Sequence, residues 1–339
     1  MELYTKALVE EITKSAEKHS SDIIDTLYIG GGTPSALPLY LLEKIIVAIR
    51  NNFQLDLKEF TIEANPATNV NFAAYKALGV DRISLGVQSL SDKLLSLIGR
   101  RHDARLALDT IESANKYFDK VSCDLMIGLP TQTIKDVIDS VDILSQSVKH
   151  ISMYMLKLSE TVKMYRQIED QELSLPDDDL VVDAYENAYA VMKASGFSRY
   201  EISNFSFPGY ESLHNLKYWN REEYLGLGAA AHGFVNNHRY FNPSNIKEYV
   251  LGNNYGNGKV NLEFIDKENA IFEKIMLAFR LRKGLNISEI NDQFNTDFLN
   301  RYSSQLNKLT DFFEFNNGFL AIKEDKLLLE SAIAREFII

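Results

Sequence analysis

The chain has 339 residues, enough for one large domain or for a large domain with a small one. Hydrophobic residues make up 45% and charged residues 24%, an ordinary globular balance, and no apolar run reaches the roughly 18 residues that a membrane span requires. The net charge of −11 comes from 36 basic and 47 acidic residues with no basic patch, which argues against nucleic acid as a partner.

The first 20 residues read as an amphipathic helix with Tyr4, Leu8, Ile12 and Ala16 on its apolar stripe. It is acidic and unlike a secretory leader, so the reading is cytoplasmic. Five β-rich segments follow: 26–29, 60–62, 82–85, 121–126 and 151–155. Amphipathic helices are predicted between them, from Pro38 through Ile49 and at 70–78, 103–117 and 133–147. Repeated βα units predict an α/β fold, a parallel sheet or barrel with ligands at the carboxyl ends of its strands. Such a fold usually opens with a strand, and here the opening helix has none before it. The edge of 26–29 is therefore expected to be exposed unless another element covers it.

A longer helix is predicted at 178–196, after Leu175-Pro176-Asp177. A loop-rich aromatic stretch runs from Ser198 to about Tyr255. The last part reads as a small unit with helices at 271–281, from Asn286 onward, and at 298–312. A β-hairpin is predicted around Asn317-Gly318. Three helices and a hairpin describe a winged-helix-like α+β module. The division is thus 1–197 for the partial barrel, 198–261 for the aromatic region and 262–339 for the module.

Residues with chemical potential gather at predicted strand ends. Gly30-Gly31-Gly32-Thr33-Pro34 removes three side chains from a strand-to-helix turn, so it either admits a ligand to bare backbone or simply makes a tight turn. Glu63, in Glu63-Ala64-Asn65-Pro66, can meet a cationic or hydroxylated ligand, or cap a turn. Gln88 can hydrogen-bond a ligand or sit in a loop. Arg100 suits a carboxylate at a barrel mouth, or a solvated helix end. Asp124 stands in an otherwise apolar strand and needs a partner or a ligand.

Taken in order, the runs Tyr28-Ile29-Gly30-Gly31-Gly32-Thr33-Pro34-Ser35, Glu63-Ala64-Asn65-Pro66, Ser84-Leu85-Gly86-Val87-Gln88-Ser89, Gly99-Arg100-Arg101-His102 and 124–133 resemble the oxygen-independent coproporphyrinogen III oxidase superfamily of radical-SAM proteins. The resemblance covers nearly the whole chain. It implies S-adenosylmethionine (SAM) contacts at Gly31, Gly32, Thr33, Glu63, Gln88, Arg100 and Asp124. A second run, His214-Asn215-Leu216-Lys217-Tyr218-Trp219, resembles the heme-binding motif of the heme chaperone (HemW-like) branch. It implies heme as a cofactor, His214 as iron ligand, and Tyr218 and Trp219 over a porphyrin face. Arg199, Arg221 and Arg239 are the candidates for the propionates. On residue chemistry alone, His214 is as well read as a hydrogen-bonded structural residue and Trp219, the single tryptophan, as core.

The chain departs from that family in one respect. Its cluster-binding cysteine loop and the strand before it do not precede the helix at Met1. Cys123 is the sole cysteine of the sequence and one thiol cannot hold a [4Fe–4S] cluster. No cluster and no radical chemistry are therefore expected of this chain. The expectation is a heme chaperone-like protein that delivers heme to a client protein, with peripheral membrane association through that client as a further possibility. The alternative is coproporphyrinogen III oxidase, an oxidative decarboxylase.

Overall fold

The structure is a computed structural model that describes residues 1–338 apart from 68, 161 and 253–260. Tyr255 and the end of the predicted aromatic stretch therefore lie outside the described residues. Helix α1 (Glu2–Lys18) is followed by β1 (Ile23–Ile29), α2 (Leu39–Asn52), β2 (Gln54–Ala64), α3 (Phe72–Ala77), β3 (Arg82–Gln88), α4 (Asp92–Leu97), α5 (Ala104–Asn115), β4 (Lys120–Ile127), α6 (Ile134–Ser145) and β5 (His150–Met155). The five strands are parallel and in chain order across the sheet. After α7 (Lys163–Glu169) and α8 (Asp178–Ala194), β6 (Ser198–Glu201) and β7 (Asn204–Ser206) complete a seven-stranded sheet, β7 antiparallel to β5. The incomplete parallel βα barrel is thus present, and the stretch beginning at 198 starts inside its sheet.

Apart from irregularities early in β1 and at the end of β3, side chains alternate along the strands, and the alternation decides which face is core. Ile62, Ile83, Leu85, Val121, Cys123, Leu125, Ile151 and Met153 point outward into one large apolar cluster. Residues such as Leu42, Phe72, Ile111, Val141 and Tyr185, from the surrounding helices, fill its other side. The intervening residues, Thr26 and Tyr28 on β1, Glu59, Thr61 and Glu63 on β2, Arg82 and Ser84 on β3, Ser122 and Asp124 on β4, and His150, Ser152 and Tyr154 on β5, share the concave face. Almost every one is polar, so the hollow of the sheet is built for polar contents.

Helix α1 lays Leu8, Ile12 and Ala16 on Ile45, Ala48 and Ile49 of α2. Its Glu11 is buried and accepts from the Gly228 backbone N–H at 2.8 Å and from Asn242 Nδ2 at 2.7 Å. This ties the N-terminus to the far half of the chain. Strand β1 pairs with β2 on one side and, among the described residues, with no strand on the other.

Beyond β7 come α9 (Leu213–Trp219), β8 (His232–Val235), β9 (His238–Phe241), α10 (Ile246–Leu251) and β10 (Asn261–Phe264). Strands β8 to β10 form a small antiparallel sheet where loops were predicted. The C-terminal module holds α11 (Lys267–Arg280), β11 (Leu285–Asn286), α12 (Ile287–Phe294), α13 (Phe298–Arg301), α14 (Ser303–Lys308), β12 (Phe313–Asn316), β13 (Phe319–Ile322) and α15 (Glu330–Arg335) around its own apolar cluster. The hairpin turns at Asn317 and Gly318, with φ of 50° and 82°, the left-handed pair that a two-residue turn requires. The helix predicted over 298–312 is broken instead. Tyr302 leaves helical geometry at φ −106°, ψ 21°, and its ring is buried among Phe298 and Phe337, so packing outweighs helical continuity. Among the described residues, no helix is long and apolar enough to cross a membrane.

Candidate functional site

Four strand ends bring the first group of predicted residues together. At the end of β1, Gly31 and Gly32 have φ of 75° and 59°, and a Cβ built on either would meet nothing within 4 Å, so their backbone is open. At Gly30 a Cβ would lie 2.5 Å from the Tyr28 ring and 2.8 Å from the Glu63 carboxyl, so only glycine allows those two to approach. Glu63 accepts from the Gly31 N–H at 3.0 Å and from the Tyr28 hydroxyl at 2.6 Å. Thr33 Oγ1 accepts from Asn65 Nδ2 at 3.2 Å, and Asn65 Oδ1 accepts from Arg100 Nη1 at 3.2 Å. Gln88 closes β3 at φ 68°, just past an irregularity in the pairing with β4. Hydrogen bonds thus tie Gly31 to Glu63, and Thr33 to Arg100 through Asn65, at the mouth of the sheet, and Asp124 shares a cavity lining with Glu63.

Below that mouth is a cavity of about 280 Å³, lined by polar side chains including Tyr28, Glu63, Ser84, Asp124, His150 and Ser152. Burial pushes the Asp124 carboxyl up to about 6, against hydrogen bonds from Ser152 and Ser84 and with the Glu63 charge adding to the rise. Burial pulls the Arg100 guanidinium down, and Asp124 opposes that pull. His102, in the same run as Arg100, is buried with Nε2 at 3.1 Å from the Val87 carbonyl oxygen, a structural contact.

The second motif lies on α9, which is clamped to the start of the sheet. Glu59 is buried and accepts from Ser212 Oγ at 3.0 Å and from the N–H groups of Leu213 and His214 at 3.0 and 3.2 Å. Arg82 balances it, donating Nε to Glu59 at 3.0 Å and Nη2 to the carbonyls of Tyr210 and Glu211, each at 2.8 Å. An acidic group at a helix start and a cation at the preceding carbonyls are both favourable. The clamp fixes where His214 stands.

His214 reaches the first strand. Its Nδ1 is 2.9 Å from Thr26 Oγ1, its Nε2 is 2.8 Å from the Tyr218 hydroxyl, and its ring stacks on Tyr28 at 5.0 Å and 21°. Burial pulls the imidazole down to about 4, so it is neutral under ordinary conditions. Tyr218, four residues on, shares its helix face. Trp219 does not join them. Its ring lies under the Arg280 guanidinium at 4.5 Å, toward the C-terminal module, because the fifth residue along a helix turns to a different side. The expected pairing of Tyr218 with Trp219 over one porphyrin face is therefore not what α9 presents.

The three candidate arginines also separate. Arg199 is buried and donates to the Glu324 carbonyl and to Tyr185. Arg221 is buried against Glu273 and the Phe234 ring. Arg239 is part-exposed and paired with Glu273 at 2.9 Å. Of the three, Arg239 alone is placed to meet an external carboxylate.

Residue-by-residue reading of the sequence passed over Tyr28, Glu59, Asn65 and Arg82. The signal for three of them was the polar alternation within strands. Glu59, Thr61 and Glu63 share a face, as do Thr26 and Tyr28.

Residues 2–144 match the Radical SAM superfamily, and residues 265–332 match the HemN C-terminal domain. The protein described as heme chaperone HemW in Lactococcus lactis subsp. lactis (strain IL1403) is 35% identical over 91% of this chain and 82% of its own length. That of Bacillus subtilis (strain 168) is 33% identical over 91% of this chain and 83% of its own. Among solved structures, coproporphyrinogen III oxidase (HemN) from Escherichia coli, a radical SAM enzyme, superposes with a TM-score of 0.85. That match covers 99% of this chain and 82% of the other at 20% identity, a likeness of fold.

Proposed function

Since the chain belongs to the HemW family of heme chaperones, within the radical SAM superfamily, we propose that it binds heme through His214 and passes it to a client protein. The observation that carries this reading is the state of His214: a neutral, part-buried imidazole on a short helix that buried charges clamp to the barrel. Neutral imidazole is a common axial ligand of heme iron. To ligate, the ring must release Thr26 or Tyr218. The cavity of the sheet does not suit the macrocycle, since its lining is polar throughout, so the porphyrin belongs outside it. Arg239 is the remaining candidate for a propionate.

The mouth of the barrel fits SAM. Glu63 suits an ammonium group, Arg100 a carboxylate, and Asp124 and Gln88 the hydroxyls of an adenosine. Gly31, Gly32 and Thr33 let the ligand approach the backbone. A radical-SAM cluster is a different matter. Cys123 is the sole cysteine of the sequence, it is buried on the helix-facing side of β4, and burial pushes its thiol well up. The residues described do not fit a cluster, and the proposal rests on heme and SAM binding by the residues named above. We place the protein in the cytoplasm, where a heme-accepting client would meet it.

The test is a hemin titration followed by the Soret band, on this chain and on His214→Ala. A saturable shift near one hemin per chain that the substitution abolishes supports the reading. An unchanged titration in the variant removes His214 as ligand, and no binding by either chain removes the carrier function.

A further inference from the structure

Tyr28 touches both halves of the site. Its ring stacks on the His214 imidazole at 5.0 Å, and its hydroxyl donates to Glu63 Oε1 at 2.6 Å. The other oxygen of Glu63 accepts from the Gly31 N–H at 3.0 Å. Gly31, Glu63, Tyr28 and His214 therefore form one unbroken path from the open glycine turn to the histidine. The path runs past Gly30, where an added Cβ would lie 2.5 Å from the Tyr28 ring and 2.8 Å from the Glu63 carboxyl, so the two side chains occupy the space that the glycine leaves open. At its far end, His214 Nδ1 is held by Thr26, two residues before Tyr28 on the same face of β1.

We propose that Tyr28 is a positioning residue shared by the two sites, through which a ligand's ammonium group on Glu63 and iron on His214 each weaken the binding of the other. This rests on the reading of His214 as iron ligand. An ammonium group that fixes Glu63 also fixes the carboxylate oxygen to which Tyr28 is bonded. The phenol ring then stays where it supports the imidazole against Thr26, with both imidazole nitrogens engaged. Ligation needs the opposite. The imidazole must turn to free a nitrogen, which removes the ring packed on Tyr28 and loosens the brace behind Glu63. Two ligands that favour different arrangements of one shared element exclude each other by the same factor in both directions.

The experiment measures hemin affinity of the full chain with and without saturating SAM, in the parent protein and in Tyr28→Phe. Phenylalanine keeps the stacked ring and removes the bond to Glu63. SAM is expected to raise the hemin Kd of the parent by at least about fivefold, the lower end of ordinary coupling. In Tyr28→Phe the ratio of the two Kd values is expected to fall to about one. The heme-free protein gives a second readout. SAM should restrain the His214 ring in its present arrangement in the parent, read as narrower ring resonances, and have no such effect in Tyr28→Phe. An unchanged hemin Kd in the parent on adding SAM, or the full SAM effect surviving in Tyr28→Phe, overturns the proposal. If hemin binds His214→Ala as well as the parent, the ligand assignment fails instead, and the ring resonances alone decide whether Tyr28 links the turn to His214.

Discussion

An imidazole with both nitrogens hydrogen-bonded binds iron by giving one bond up, and the bond it gives up can be identified. A neutral hydrogen bond contributes about 1 kcal/mol net. If iron takes Nε2, Tyr218→Phe removes a competitor and should tighten hemin roughly fivefold, with Thr26→Val near neutral. If iron takes Nδ1, the two variants exchange effects. Titration of both by Soret absorbance separates the cases, and weakening by both would sink direct ligation. The pH profile is a second check. His214 is held down to about 4 by burial, whereas an unfolded histidine titrates near pH 6.5. Protons should therefore not compete with iron at this residue between pH 7 and 5, and hemin affinity should fall only toward pH 4. The same depression means that the unfolded chain takes up this proton first. His214 therefore lowers stability progressively as pH drops from about 6.5 to 4. A hemin affinity that falls with a midpoint near 6.5 would mean that the ligand is an exposed histidine.

Helix α9 has seven residues and gains little from its own hydrogen bonds. Its position depends on Glu59, Arg82 and Ser212. Removing one member of a buried ion pair leaves the other uncompensated, at a cost of about 3–5 kcal/mol. Arg82→Met should reach that loss in urea unfolding, and Ser212→Ala, which removes a helix cap, about 1 kcal/mol. A loss under 1 kcal/mol for Arg82→Met would show that α9 is held by something else. Glu59 and Arg82 show where sequence reading stops. The alternation that sets them on the polar face can be read from β2 and β3 alone. Their partners 150 residues or so away cannot, because the pairing of Glu59 with Ser212 follows from how the chain closes. Trp219 went the same way. The family resemblance implied a role shared with Tyr218, whereas its environment is set by Arg280 of α11, a contact with no local trace.

The whole molecule joins a polar-lined half-barrel to a C-terminal module through β6. Tyr200 accepts from the Arg282 N–H, and Ile202 donates to the Arg280 carbonyl. The βα order, the glycine turn and the Asn317-Gly318 hairpin were legible because each is fixed by residues close in sequence. The small sheet of β8 to β10 was not, since its strands are only four residues long, too short for an alternating pattern to stand out. With one buried cysteine, the chain should yield no 5′-deoxyadenosine from SAM after attempted cluster reconstitution, and substantial product would overturn that. The clamp on α9 carries a consequence for time as well as for place. Thr26 and His214 stand 188 residues apart in sequence, and the sheet between them must close before they meet. Contacts of such long range form slowly. During synthesis the barrel strands also emerge well before α9 does. The histidine should thus be presented late in folding, and in refolding experiments the capacity to bind hemin should return with the slowest phase, after the bulk of the helical signal. A chain stalled on its way to the native state would carry no heme, so cargo loading would itself report that folding is complete.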